Sequence, residues 1–121
     1  MRQNGQNGLM TKTPTLLILG LALLSPAFAE DESGNAMYPS CKGLVDGKWT
    51  TRREAQCAGV ITATLAMAKL GEIATSCPPT GVTHKQAQRV VVHYLDQHPE
   101  RLHLPLSELA SEALSKAWPC S

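Results

Sequence analysis

Residues Val90 to Cys120 read VVVHYLDQHPERLHLPLSELASEALSKAWPC, and this stretch decides the fold. Ala87, Val90, Val91, Tyr94 and Leu95 recur at steps of three and four, the spacing that lines one side of an α-helix. Pro99 has no amide hydrogen and disfavours α geometry in the residue before it, so this helix is expected to stop near Gln97 or His98. Pro105 suits the first turn of a second helix. From Leu106, the apolar Leu109, Ala110, Ala113, Leu114, Ala117 and Trp118 again fall at helical spacing, with Glu108, Glu112 and Lys116 on the other face. The pair predicts an antiparallel αα-hairpin with a corner from His98 to Leu104.

Upstream, Thr51 to Gly71 reads TRREAQCAGVITATLAMAKLG, without proline. Thr51 and Glu54 have capping-box spacing, with Thr50 as a competing cap, and Gly71 is a suitable C′ residue after Lys69 in the last turn. A long helix is expected over Arg52 to Leu70. One of its faces, Gly59, Thr62, Ala63 and Ala66, is small enough to let another backbone approach closely, beside an apolar stripe of Ile61, Leu65 and Ala68. Thr83 and Gln86 repeat the capping spacing and open the hairpin's first helix at about His84. Ala36, Met37 and Tyr38 start a short first helix whose regularity Pro39 limits. There is no internal repeat and no convincing period-two strand. The fold class is therefore all-α: a small four-helix domain with a short first helix, a long second helix and a C-terminal αα-hairpin.

The N-terminus has the pattern of an export signal. Arg2 and Lys12 precede an apolar run from Leu16 to Leu24, and Pro26-Ala27-Phe28-Ala29 supplies an Ala-x-Ala cleavage site before Glu30-Asp31-Glu32. Stretched from Thr15 to Phe28 the run has 14 residues, short of the roughly 20 that span a bilayer. Residues 1–29 are thus expected to be a signal peptide, with Met10 an alternative start, and 30–121 the mature domain in the periplasm, without a membrane anchor after cleavage. Of 11 Lys+Arg, Arg2 and Lys12 are lost with the signal, whereas all ten Asp+Glu remain, so the mature chain carries a net charge of −1. Nucleic acid is not an expected partner.

A domain this small has limited area to bury. All four cysteines, Cys41, Cys57, Cys77 and Cys120, lie in the exported part, and an even number in an oxidising compartment argues for two disulfides. Three pairings are combinatorially open. In an antiparallel hairpin the start of the helix after Cys77 lies beside the end of the helix before Cys120, which pairs these two and leaves Cys41 with Cys57.

Metal binding and catalysis find little support in the sequence. His93, His98 and His103 are five residues apart, which on a helix places the first two about 140° apart, whereas ligand pairs need i, i+3 or i, i+4. No Cys-x-x-Cys is present, and oxidised thiols are unavailable to a metal. No Gly-x-Ser-x-Gly or reactive-cysteine context appears. No cofactor and no metal site are expected. The candidates for partner binding are Trp49, the basic pair Arg52 and Arg53, and the polar corner residues His98, Glu100, Arg101 and His103, held on a disulfide-pinned scaffold.

Cys57-Ala58-Gly59, then Cys77-Pro78 with Gly81-Val82, then the stretch from His98-Pro99-Glu100 to Pro119-Cys120 resemble the Rap/Tai immunity proteins from about Gly34 to Cys120. The resemblance implies a small, exported, disulfide-bonded helical protein that binds and inhibits a peptidoglycan amidase effector delivered by type VI secretion, without catalysing a reaction itself. Two positions depart from the family pattern: Pro39 in the first helix, and Val60 where the family often has an aromatic. A homodimer is a further partner to consider. From another functional class, a general periplasmic stress or chaperone-like protein that binds unfolded chains would share the same small helical, disulfide-bonded build.

Overall fold

The computed structural model describes residues 30–121, of which Asp31–Ser121 form one compact unit. The signal-peptide reading of residues 1–29 lies outside the described residues. Four helices follow one another: α1 (Gly34–Val45), α2 (Arg52–Lys69), α3 (His84–Gln97) and α4 (Leu106–Ala117). A 3-10 turn, Pro99–Arg101, occupies the corner between α3 and α4.

The helix ends follow the sequence signals closely. Thr51 caps α2 through its side chain, and Glu54 completes the capping box. Gly71 (φ 79°) ends the helix. There the Glu72 amide donates to the Met67 carbonyl at 2.9 Å and the Gly71 amide to that of Ala68 at 3.1 Å, a Schellman arrangement that only a left-handed residue closes comfortably. Thr83 accepts from the Gln86 amide and starts α3 at His84.

The first helix departs from expectation. It starts at Gly34 rather than Ala36, capped by Ser33, and runs unbroken through Pro39 to Val45. Pro39 withdraws only the hydrogen bond that its amide would have given Asn35, and both residues are exposed, so water can serve that carbonyl. What holds the start of α1 is the corner: the Gly34 and Asn35 amides donate to the Leu104 and Leu102 carbonyls at 2.8 and 2.7 Å. In return the Leu106 amide donates to Glu32 O at 2.9 Å. These bonds satisfy orphan amides at the starts of both α1 and α4.

The core is built from Met37, Leu44, Ile61, Leu65, Val91, Leu95, Leu106, Leu109 and Leu114, with alanines at Ala58, Ala87, Ala110 and Ala113 allowing the helices to pack closely. Both pairings are those expected. Cys41–Cys57 ties α1 to α2 with Cα atoms 5.6 Å apart, and Cys77–Cys120 ties the connector to the chain end at 5.0 Å. The first is completely buried, while Cys77 is exposed and Cys120 half-buried. The second is reinforced by the Cys77 amide, which donates to Trp118 O at 2.7 Å.

The small face of α2 has no backbone against it: Gly59, Ala63 and Ala66 are exposed, and a Cβ built on Gly59 meets nothing within 4 Å. Gly34 is the opposite case. A Cβ there would sit 2.6 Å from Leu109 Cδ1 and 2.9 Å from Leu102 O.

Thermal unfolding of three variants tests this account. Gly34→Ala is expected to destabilise by about 1–3 kcal/mol, because one of its contacts is backbone that cannot rotate away. Gly59→Ala should stabilise by about 0.5–1 kcal/mol through helix propensity alone. Opening the 43-residue separation between Cys77 and Cys120 by Cys120→Ala should cost up to about 4 kcal/mol on the chain-entropy scale, more than any single surface-charge change.

Candidate binding surface

Trp49 is 62% exposed, a large share for an indole, yet the backbone on either side of it is fixed. The Lys48 amide donates to Gly43 O at 2.9 Å, and the Thr50 and Thr51 amides donate to Glu54 Oε2 at 2.7 and 3.0 Å. Glu54 is itself buried, and its carboxylate fills space that a side chain on Gly43 would occupy: a Cβ there would lie 2.8 Å from Oε1. Gly47 (φ 84°) makes the turn that returns the chain toward α2. Beneath the loop, Cys41–Cys57 fixes the two helix ends that it joins.

Trp49 forms one wall of a groove of about 760 Å³ that Leu44, Ala58 and Thr62 also line. Across from it, α3 contributes His84, Lys85, Gln88 and Arg89. None of the groove's lining residues is acidic. Gln88 is 8% exposed, and its carboxamide has no hydrogen-bond partner among the described residues. Lys85 and Arg89 are exposed and likewise make no ion pair there. Arg89 also lines two smaller cavities on other sides of α3, one with Thr83, Gln86, Val90 and His93, the other with Lys42, Asp46 and Asp96. Asp96 is committed elsewhere: it accepts from the Tyr38 hydroxyl and pairs with Lys42 at 3.1 Å.

The other expected binding residues are scattered, and most have structural partners. Arg53 donates to Asp31 O at 3.1 Å and contacts the Met37 sulfur, closing the N-terminal segment over α1. Arg52 lies exposed at the start of α2. In the corner, His98 stacks on Tyr94 with ring centroids 4.1 Å apart and bonds Tyr94 O through Nδ1 at 2.8 Å. Arg101 makes a two-pronged ion pair with Glu112 of α4, which also accepts from the Tyr94 hydroxyl. Burial pushes the Glu112 carboxyl up, but the Tyr94 and Arg101 hydrogen bonds outweigh it and hold the group below its ordinary value. His103 turns back on Glu100 O at 3.1 Å, which leaves Glu100 as the exposed charge of the corner.

Trp49 and the corner do not form one surface. The corner binds Gly34 and Asn35 at the start of α1, whereas the groove takes Leu44 and Val45 at its end, roughly 14 Å away along the helix. The sequence reading missed His84, Lys85, Gln88 and Arg89. Lys85, Arg89 and His93 do recur every four residues on the polar side of α3, which is the signal that would have found them. Among the described residues no three His, Cys, Asp or Glu side chains converge as a metal site, and no helix is long and apolar enough to cross a membrane.

The model of the Rap1a immunity proteins matches residues 33–120, nearly all of the described chain. No curated protein and no solved structure matches it.

The carboxylate under the Trp49 loop makes this region acid-sensitive. Donation from the Thr50 and then the Thr51 amide holds Glu54 below its ordinary 4.5. A depressed carboxylate contributes stability that is fully present above its unfolded value and lost as pH falls through its folded value. Melting temperature and Trp49 fluorescence anisotropy are therefore expected to hold from pH 7 to about 5 and to fall below pH ~4.5. Glu54→Gln should be less stable at pH 7 and show a shallower acid decline.

Proposed function

From the premise that this chain belongs to the Rap1a immunity protein family, we propose that it is a periplasmic, non-catalytic immunity protein that binds and blocks a secreted peptidoglycan amidase. Family membership across residues 33–120 is the observation that carries the reading. Two disulfides with no free cysteine among the described residues are consistent with folding in an oxidising compartment, where the sequence's export signal would deliver the chain.

Inhibition by a protein of this size requires little motion. A rigid surface that presents a few desolvated anchors can occlude a cleft without undergoing chemistry, and an indole on a fixed loop loses little entropy when it is buried. Trp49 is that kind of group, since Glu54 and Cys57 hold the backbone that carries it. The corner from His98 to Leu104 offers a second rigid surface, in which Glu100 and His103 are exposed.

The test uses the mature protein, residues 30–121, and a secreted peptidoglycan amidase, taken first from the genes neighbouring its own. Micromolar protein is expected to bind that hydrolase and suppress its release of peptide from peptidoglycan. Trp49→Ala should weaken binding by about 30-fold, the scale of an aromatic hot spot, and leave the melting temperature within error because the ring is largely exposed. Absence of both binding and inhibition at micromolar concentration would remove the immunity reading. Suppression of aggregation of unrelated unfolded proteins would favour the chaperone-like one.

A further inference from the structure

We propose that the groove between Trp49 and α3 is the docking site for a short, extended, acidic segment of the partner protein. This rests on the effector-binding reading and specifies which surface does the binding and what chemistry it selects.

Three features of the groove converge on that occupant. The first is charge: Lys85 and Arg89, with His84 beside them, face a groove without a lining carboxylate, on a mature chain whose net charge is −1. A local concentration of unpaired cations on a slightly acidic protein attracts anionic groups and raises their association rate. The second is Gln88, which lines the groove with no hydrogen-bond partner among the described residues, so its carboxamide can offer an acceptor and two donors to a peptide group, which carries one of each. The third is Trp49, whose exposed ring can cover the apolar part of a bound chain opposite the cations.

Length follows from the same geometry. The groove-lining part of α3, His84 to Arg89, spans roughly 8 Å along the helix, which about two to three residues of extended chain would cover. Arg89 lies at the end of this span and also lines the two smaller cavities described above. Asp46 and Asp96 line the cavity on the Lys42 side and disfavour an acidic chain there. The preferred path therefore stays within the groove, between Trp49 and the side of α3 that carries Lys85, Gln88 and Arg89.

Two measurements on the mature protein test this. The first is calorimetric titration with the hydrolase described above. Lys85→Glu/Arg89→Glu should weaken binding at least 30-fold with an unchanged melting temperature, while Lys116→Glu on α4 stays within twofold of wild type. The second follows Trp49 emission, in a Trp118→Phe background, on adding acetyl-Glu-Asp-Glu-Asp-amide, its Gln/Asn counterpart, or inorganic phosphate. The acidic peptide should shift the emission, and Lys85→Glu/Arg89→Glu should abolish the response. Unaltered hydrolase binding by the double variant would overturn the groove while leaving the immunity reading intact. If wild type does not bind the hydrolase, the immunity reading fails, and the peptide titration decides the groove separately. A response to phosphate equal to that to the peptide, or an equal response to the Gln/Asn peptide, would overturn the acidic-segment assignment.

Discussion

The Cys41–Cys57 bond joins the last turns of α1 to the first turns of α2 in a completely buried position, and the geometry of the Trp49 end of the molecule is organised around that junction. With the two helix ends fixed, the six residues between Val45 and Arg52 have little freedom. Glu54 removes most of what remains by accepting two loop amides from a buried position that Gly43 leaves open. The result is an exposed indole on a backbone held by hydrogen bonds on both sides. An apolar ring in water gains nothing from that placement unless a partner covers it, which is why the arrangement speaks to binding rather than to stability.

The far end of α1 is held differently. There the chain entering the domain and the corner between α3 and α4 exchange backbone hydrogen bonds, and the Arg101–Glu112 pair with Tyr94 braces the corner against α4. Residues that look like recognition elements in the sequence are thus largely spent on fixing the corner. The Cys77–Cys120 bond serves the opposite end of the α3–α4 hairpin, where it ties down the chain terminus close to solvent.

Much of this was legible from spacing. Helix periods, the Thr51 and Thr83 caps, the Gly71 stop and both disulfide pairings depend on local chemistry or on hairpin topology, and all appear as expected. Pro39 was misread because proline's cost depends on whether the carbonyl it orphans is buried, and burial is a tertiary property. The structural roles of Arg53, His98 and Arg101 were hidden for a similar reason: each partner lies on another segment or is a backbone carbonyl. The spacing of Lys85, Arg89 and His93 on α3 is by itself that of a solvated charged face, and only the placement of Trp49 across from Lys85 and Arg89 makes a groove there.

Family membership supplies the class of activity, and the groove is the place proposed for it. The central claim is that one preformed surface, Trp49 with the start of α3, meets the partner. Amide hydrogen exchange of residues 30–121, free and saturated with a bound effector, tests this most directly. The account predicts added protection over residues 45–49 and 84–89, with little change over 98–104. Protection confined to 98–104, with 45–49 and 84–89 exchanging as in the free protein, would contradict it.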